Sequence, residues 1–367
     1  MLFSELLDTD QIEIVPYLVI QDPLIQENKG VPRVKAYQIQ KNSGIDAMSL
    51  VDLPEPKPGY GQVLIRVRAT SLNYRDTAVV QGAYPGQKLP VIPLSDGAGD
   101  VVALGEGVTQ VKVGDRVAGC FFQDWVAGKL TRQKIKSALG GAINGMLAEF
   151  VVLNQEGVVL LPDHLSYEEG ATLPCAAVTA WQALVTRGAI AAGETVLLLG
   201  TGGVSIFALQ FAKFHGARII ITSSSDEKLA RARELGATET INYKTTPNWE
   251  EQVYELTQRE GVDQVIEVGG AGTLEKSLRT VRVGGRVSLI GVLAGAGEVN
   301  HTQILMKSID IQGIYVGSRE MFEAMNRAIA LHQLKPIIDR IFPLAEAREA
   351  YHYLKSGTHF GKVVIQL

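Results

Sequence analysis

The sequence has few cysteines, no excess of basic charge and no long apolar run. Its 367 residues include two cysteines, Cys120 and Cys175, which excludes a disulfide framework and favours a reducing cytoplasm. The net charge of −4 gives no electrostatic signal for nucleic acid binding. Since no apolar stretch reaches membrane-spanning length and no basic start precedes an apolar segment, we expect a soluble cytoplasmic protein.

The pattern of the chain changes after residue 176, and the length suits two domains. Residues 1–32 form an N-terminal extension to which we assign no chemistry, and the segment that follows is strand-like and rich in proline, as in a β-rich domain. In residues 177–317, apolar strands alternate with amphipathic helices, which predicts a doubly wound parallel sheet. The six predicted strands are Thr195–Leu199, Arg218–Thr222, Glu239–Asn242, Gln264–Val268, Arg286–Ile290 and Asp310–Val316.

Residues 318–367 are expected to return to the first domain. They contain two helical segments, Arg319–Leu334 and Ala345–Ser356, and a final strand, Lys362–Leu367. A strand so late in the chain has no obvious place in the sheet predicted for the middle segment. We therefore expect the first domain to be built from both parts of the chain.

A glycine-rich turn follows the first strand of the predicted parallel sheet. Gly200 and Gly202 occupy the first two positions of the G-x-G-x-x-G pattern, and Ser205 stands at the third. The turn leads directly into a helix, so backbone N–H groups and the helix N-terminus, with Gly203 and Val204, are placed to bind a dinucleotide pyrophosphate. The pattern predicts a nicotinamide dinucleotide as the cofactor.

The second strand ends at a serine where NAD enzymes usually carry a carboxylate. Ser223 lies twenty residues after Gly203 and is followed by Ser224 and, further on, Lys228. A carboxylate would bind the ribose of NAD and repel a 2′-phosphate, whereas hydroxyl groups and an ammonium can bind that phosphate. We therefore predict NADP(H); the alternative is that the serines only form a polar turn.

Six further motifs are distributed along the chain outside the glycine-rich turn. They are SLNYRD (71–76), PLSDGAGDVVALGEGVTQVKVGDRV (93–117), AEFVVL (148–153), ATLPCAAVTAWQAL (171–184), ARELGATETINY (232–243) and HFGKVVIQL (359–367). Together with the turn they resemble the medium-chain dehydrogenase/reductase superfamily, and the chain looks most similar to its quinone-oxidoreductase-like and zinc-independent alcohol-dehydrogenase-like branches. The resemblance implies a GroES-like catalytic domain, a Rossmann domain and catalysis in the cleft between them.

The resemblance also bears on zinc. Zinc alcohol dehydrogenases carry a cysteine, a His-Glu pair and a second cysteine at positions that match Asn73, Ser95-Asp96 and Cys175. Only Cys175 keeps a ligand type, and a catalytic zinc needs three good donors. The four-cysteine structural lobe is absent as well. We expect no metal, and we expect Cys175 to be a small packed residue.

The remaining site assignments follow from the resemblance. Asn73 and Tyr74 are the candidate catalytic hydrogen-bond donors, Tyr84 is a candidate pocket residue, and Arg75 and Asp96 are left without a role. Further cofactor contacts are implied for Thr179, Lys228, Tyr243, Gly269, Gly291, Leu293 and Lys362. Strand pairing between subunits in this superfamily implies a homodimer.

The predicted function is hydride transfer from NADPH to a quinone, enone or related small-molecule carbonyl. Without a metal, hydrogen-bond donors must stabilise the developing oxyanion. Two alternatives stay open: a zinc-free alcohol or aldehyde dehydrogenase, and a non-catalytic protein of the same fold that only binds NADPH.

Overall fold

The structure, a computed structural model, describes residues 32–41, 43–291 and 298–367. Nearly all of the N-terminal extension, together with Leu293, lies outside the described residues. The strands of the described residues, numbered in chain order, are β1 (Arg33–Gln38), β2 (Ser49–Pro54), β3 (Gln62–Leu72), β4 (Asp96–Leu104), β5 (Arg116–Gly119), β6 (Phe150–Asn154), β7 (Val158–Leu160), β8 (Thr195–Leu199), β9 (Arg218–Ser223), β10 (Glu239–Asn242), β11 (Val262–Glu267), β12 (Val281–Leu289), β13 (Asp310–Gly313), β14 (Ile338–Pro343) and β15 (Lys362–Gln366).

The helices are short, and two π-helical turns, Leu173–Ala177 and Gln182–Thr186, flank one of them. Within the residues that the structure describes, no helix has both the length and the apolar character needed to cross a membrane. The α-helices are α1 (Tyr74–Val80), α2 (Arg132–Ile135), α3 (Tyr167–Ala171), α4 (Val178–Trp181), α5 (Gly203–Phe214), α6 (Asp226–Leu235), α7 (Trp249–Leu256), α8 (Leu274–Thr280), α9 (His301–Met306), α10 (Arg319–His332) and α11 (Ala347–Ser356).

Six strands form a parallel sheet in the order β10-β9-β8-β11-β12-β13. The leucines and isoleucines of β8 and β9 are buried on both faces, as expected for strands covered by helices on each side. The predicted doubly wound sheet is thus confirmed. The strand order reverses between β8 and β11, and the crevice at their carboxyl ends is where such sheets bind ligands.

The sixth strand is shorter than the sequence analysis predicted. β13 ends at Gly313 rather than at Val316. The reason is local, because Val316 has a φ of 56°, a left-handed conformation that cannot continue an extended strand. As a result, Tyr315 lies in the connection after the sheet instead of within it.

A second, mostly antiparallel sheet has the order β14-β15-β3-β4-β5-β7, with β6 also paired to β3. β15 pairs with β3 in antiparallel register, so residues at opposite parts of the chain share one sheet. β14 is a strand that the sequence analysis did not assign, and it pairs in parallel with β15. The fold is therefore the predicted β-rich GroES-like unit together with a Rossmann unit.

The two sheets share one apolar core. Ala98 of β4 and Ala118 of β5 belong to the same buried cluster as Val196 and Leu198 of β8. The helical segment from Leu173 to Thr186 contributes to that cluster and carries Cys175 and Thr179. This packing fixes the two sheets against each other and brings β15 close to the glycine-rich turn.

Candidate active site

The glycine-rich turn lies at the carboxyl end of β8. Gly200 has a φ of 72°, which favours glycine, and a side chain on Gly200 or Gly202 would meet nothing within 4 Å. Gly202 caps α5, whose first residues include Val204. Ser205, at the third position of the pattern, donates its hydroxyl to the carbonyl oxygen of Leu199 at 2.7 Å. The serine therefore ties the helix to the strand, and the turn leaves open space beside the helix N-terminus.

Gly203 is required by a neighbour from the other sheet. A Cβ atom on Gly203 would lie 2.8 Å from Cδ of Lys362 and 3.2 Å from Cβ of Ala176. One residue earlier, the amide of Gly361 donates to the carbonyl oxygen of Thr201 at 3.0 Å. The start of β15 therefore lies directly on the glycine-rich turn.

Ser223 ends β9 and is buried. Ser225 caps α6 by accepting from the amide of Lys228 at 3.3 Å, and Ser224 lies between the two serines. The carbonyl of Ser223 accepts from the amide of Tyr243, whose side chain is 42 % exposed. Asp226, a nearby acidic residue, accepts a hydrogen bond from Asn242. The strand end thus offers hydroxyl groups and no carboxylate.

The Lys228 ammonium already has a partner. Its Nζ atom donates to the carbonyl oxygen of Gly357 at 2.8 Å, and burial lowers its pKa. The same segment contains His359, whose pKa is lowered to about 4 by burial and by the nearby Lys228 and Lys362 ammonium groups. Sequence reasoning did not single out His359, whose mostly buried ring is neutral at pH 7 and lies near the predicted cofactor contacts Lys228 and Lys362.

Three other predicted cofactor contacts have roles within the protein. Thr179 is buried and donates its hydroxyl to the carbonyl of Cys175 at 2.7 Å. The amide of Gly269 donates to the buried carboxylate of Glu267 at 2.7 Å. A Cβ atom on Gly291 would lie 1.5 Å from the carbonyl oxygen of Val268, so close backbone packing alone requires glycine there.

A buried ammonium lies among the residues predicted for catalysis. Nζ of Lys362 donates to the carbonyl oxygen of Leu72 at 2.6 Å and to Oδ1 of Asn73 at 2.7 Å. It also lies 3.8 Å from Oδ2 of Asp96, and the Lys362 and Asp96 side chains are 3 % and 0 % exposed. We call these four residues the lysine cluster. Lys362 thus contacts residues of its own sheet as well as the glycine-rich turn of the parallel sheet.

Asp96 is held from several sides. Ser95 donates to its Oδ1 at 2.7 Å, and the amide of Cys175 donates to its Oδ2 at 3.3 Å. Burial raises the pKa of Asp96, and the Lys362 ammonium opposes that shift. Burial lowers the pKa of Lys362, and Asp96 opposes that shift in turn. A buried pair of this kind depends on both partners, because either charge alone is costly away from water.

The position of the ammonium decides how the Asn73 amide is oriented. A lysine ammonium has donors and no acceptor, so the atom of Asn73 that faces it must be the oxygen. The amide nitrogen, Nδ2, is then directed elsewhere. It is buried and forms no hydrogen bond of normal geometry among the described residues, and the Asn73 side chain lies close enough to Asp96 to lower the pKa of that carboxyl group.

A second buried ion pair lies beside the lysine cluster. Arg75 donates to Oδ1 of Asp76 at 3.1 Å and to the carbonyl of Leu139 at 3.0 Å. Asp76 also accepts from the amide of Asn73 at 2.8 Å, which fixes the start of α1. Burial raises the pKa of Asp76 to about 6, although Arg75 opposes the shift. Arg75, which had no predicted role, therefore helps to hold Asn73 in place through Asp76.

Two tyrosines of this region, Tyr74 and Tyr84, differ in their hydrogen bonding. Tyr74 is the first residue of α1, and its side chain is 55 % exposed. Tyr84 lies after α1, and its hydroxyl is 2.5 Å from the hydroxyl of Tyr315. Sequence reasoning missed Tyr315 because it lies within the strand predicted over Asp310–Val316.

Comparison with known proteins identifies both parts of the chain. Residues 59–163 match the alcohol dehydrogenase GroES-like domain, and residues 203–330 match the zinc-binding dehydrogenase domain. A zinc-type alcohol dehydrogenase-like protein of Schizosaccharomyces pombe is 44 % identical over 334 residues, which are 89 % of this chain and 96 % of that protein.

Solved structures of similar proteins agree. A putative alcohol dehydrogenase from Sinorhizobium meliloti 1021 is 40 % identical, with a TM-score of 0.85 over 91 % of this chain and 99 % of that one. An NAD-dependent alcohol dehydrogenase is 33 % identical, with a TM-score of 0.83 over 91 % and 99 % of the two chains. The likeness therefore covers both sheets and the cleft between them.

Proposed function

Because this chain belongs to the medium-chain dehydrogenase/reductase superfamily, we propose that it is a zinc-independent, NADPH-dependent reductase of quinones, enones or related carbonyls. Membership in the superfamily makes it an alcohol dehydrogenase-like oxidoreductase that uses a nicotinamide cofactor. The proposal goes further on the metal, the cofactor and the substrate. The observation that carries it is the Lys362 ammonium bound to Asn73 beside Asp96.

The residues at the metal-ligand positions of the zinc enzymes do not fit zinc. Oδ1 of Asn73 accepts from the Lys362 ammonium, and Ser95 donates its hydroxyl to Asp96. Burial and the Asp96 charge raise the pKa of Cys175, which disfavours the thiolate that zinc would need. In the part of the chain that the structure describes, no three His, Cys, Asp or Glu side chains form a group able to hold a metal ion. Lys362 supplies the positive charge beside Asp96 instead.

This arrangement suits a conjugated carbonyl as the hydride acceptor. NADPH supplies the hydride when it is bound, and the protein must then stabilise negative charge on the acceptor oxygen. Nδ2 of Asn73 is a buried donor whose contact with Asp96 falls short of normal hydrogen-bond geometry, so pairing with a ligand oxygen would be favourable. An enolate or a hydroquinone anion is a weaker base than an alkoxide, so neutral donors can stabilise it without a metal.

The end of β9 supports NADPH as the cofactor. Ser223 stands where a carboxylate would repel the 2′-phosphate, and the hydroxyls of Ser223 and Ser224 can donate to it. The hydrogen-bond partner of Lys228 is a neutral carbonyl, which a phosphate can replace, although the Asp339 and Glu227 carboxylates also act on this ammonium. Tyr243, next to this strand end, keeps an exposed side chain. The similar NAD-dependent enzyme does not decide the choice, because the choice depends on these side chains.

The proposal is tested by following NADPH oxidation with quinones, enones and aldehydes, together with a metal measurement on the same purified protein. We expect turnover with a quinone or an enone, zinc well below one ion per chain, and an unchanged rate after chelation. Stoichiometric zinc with loss of turnover on chelation would contradict the metal-free site. Tight NADPH binding without turnover of any acceptor would favour the non-catalytic alternative.

A further inference from the structure

One hydrogen bond joins the two halves of the cleft through tyrosine hydroxyl groups. Tyr84 belongs to the segment after α1, and Tyr315 follows the last strand of the parallel sheet. Their Oη atoms are 2.5 Å apart, and Tyr315 remains 36 % exposed. Burial, followed by the neighbouring Tyr84, raises the pKa of Tyr315, so its hydroxyl keeps its proton at neutral pH. We call the two residues the tyrosine pair.

Aromatic rings and one cation surround the tyrosine pair. The Tyr315 ring packs edge-on against Phe122, with centroids 5.0 Å apart, and lies 6.2 Å from the Phe121 ring. The Arg75 guanidinium lies over the Tyr84 ring at 4.2 Å and over the Phe121 ring at 5.0 Å. The same Arg75 is paired with Asp76, which accepts from the Asn73 amide. The tyrosine pair therefore packs on buried aromatic rings and is connected to Asn73 of the lysine cluster through Arg75 and Asp76.

The tyrosine pair has one more hydroxyl proton than the hydrogen bond between the two residues uses. Two hydroxyl groups carry two protons, and the bond between them uses only one. When Tyr84 donates, the remaining O–H is that of Tyr315, and Tyr315 keeps an exposed surface at which a ligand can reach it. A phenolic O–H on an exposed aromatic ring suits a planar aromatic or conjugated ligand that carries an oxygen acceptor.

We propose that Tyr315, supported by Tyr84, is a specificity-determining hydrogen-bond donor to an oxygen of the planar carbonyl substrate. The proposal rests on the proposed function, because it assigns a further residue to the same reductase site. Tyr315 is the direct donor, and Tyr84 orients it. No proton leaves either tyrosine in this role.

The two roles predict unequal effects of phenylalanine substitutions. We expect Tyr315→Phe to lower kcat/KM for a quinone about tenfold, mainly through KM, since it removes the donor. Tyr84→Phe should lower it only about threefold, because Tyr315 can still donate. The double variant should be no worse than Tyr315→Phe, and NADPH affinity should stay constant throughout. Tyr60→Phe is the matched control, since Tyr60 is 80 % exposed on another surface.

If the two single variants lose kcat/KM equally, or if NADPH affinity changes, the hydrogen bond only holds the two segments together and the proposal is wrong. Full activity of Tyr315→Phe would also overturn the proposal. If the wild-type protein reduces no acceptor, the proposed function fails, and titration calorimetry with 2-naphthol still tests the tyrosine pair. This planar ligand has an oxygen acceptor and no reducible carbonyl. We expect about fivefold weaker binding to Tyr315→Phe, and equal binding would refute the role of Tyr315.

Discussion

The glycine-rich turn and the lysine cluster lie next to each other but are built by opposite means. The turn presents backbone groups from one continuous segment, Gly200 to Ser205, and needs small residues so that a ligand can come close. The cluster presents side chains from distant parts of the chain, and Lys362 follows Asn73 by 289 residues. A backbone site tolerates many sequences, whereas a buried cluster of charges depends on every member.

The two sites meet at the stem of Lys362. Its Cδ atom lies against Gly203 of the parallel sheet, and its ammonium reaches Leu72 and Asn73 in its own sheet. Lys362 was predicted as a cofactor contact, and the structure gives it hydrogen-bond partners in the lysine cluster. One side chain thus joins the glycine-rich turn to the lysine cluster.

The largest expected effect comes from removing the charge that completes the lysine cluster. Lys362→Met keeps most of the stem but leaves the Asp96 carboxylate buried without its cation. We expect the free energy of unfolding to fall by about 3–5 kcal/mol, measured by urea denaturation at pH 7. Adding Asp96→Asn should recover part of that loss.

Lys307→Met is the control for this variant. Lys307 donates to three backbone carbonyls, those of Leu278, Arg279 and Val281, so its loss leaves no carboxylate unpaired. A cost of about 1–2 kcal/mol is expected there. If Lys362→Met costs no more than Lys307→Met, the cluster does not depend on the Lys362 charge.

The next effect distinguishes the two atoms of the Asn73 amide: Oδ1, which accepts from Lys362, and Nδ2, the proposed donor to the substrate. Asn73→Asp keeps an oxygen for Lys362 and removes the Nδ2 donor, so kcat should fall about 100-fold while the KM for NADPH stays constant. Steady-state kinetics with a quinone checks this. Asn144→Asp is the control, because Oδ1 of Asn144 is also a hydrogen-bond acceptor, in its case from the backbone amide of Ile92. A kcat within threefold of wild type would exclude Asn73 as the donor.

A smaller effect is expected at the cofactor end. Ser223→Asp places a carboxylate at the end of β9, and we expect NADPH to bind about 30-fold more weakly, roughly 2 kcal/mol, with little change for NADH. Fluorescence titration of both cofactors measures it. Ser166→Asp, at the N-cap of α3, is a control, since aspartate caps helices as well as serine does. Tighter binding of NADH than NADPH by the wild-type protein would argue against the assigned cofactor.

The last effect concerns acid stability and vanishes at neutral pH. The folded pKa of His359, about 4, lies below its unfolded value, so the folded protein favours the neutral ring. The stability due to His359 is therefore complete above pH 6.5 and is lost as the pH falls towards 4. His359→Gln should remove about 2 kcal/mol of the difference between unfolding free energies at pH 7.5 and 4.5, measured by urea denaturation. An unchanged difference in this variant would contradict the role of His359.

Local patterns predicted what local interactions determine. The six strands and the helix after the glycine-rich turn follow from the spacing of apolar residues, and four of the six strands lie within two residues of their predicted bounds, while β12 begins five residues early. β14 was missed because it is half exposed and depends on pairing with β15. The left-handed Val316, which ends β13 early and exposes Tyr315, has no signal in the sequence.

The lysine cluster was harder to predict than the glycine-rich turn. Asn73 was proposed as a donor from resemblance, but its partner Lys362 was assigned to the cofactor. Asp96 and Arg75 had no role because a single sequence does not reveal which distant charges become buried together. Pairing of ions across hundreds of residues is a property of the packed fold.

The place of β15 in chain order has a consequence for how the protein is made. During synthesis, Asn73 and Asp96 leave the ribosome long before Lys362, and the turn at Gly203 also precedes it by more than a hundred residues. Until β15 adds to β3, a nascent chain that has folded its first strands holds Asp96 without the lysine. The glycine-rich turn can form early, but the lysine cluster becomes complete only when β15 has been synthesised and has paired with β3.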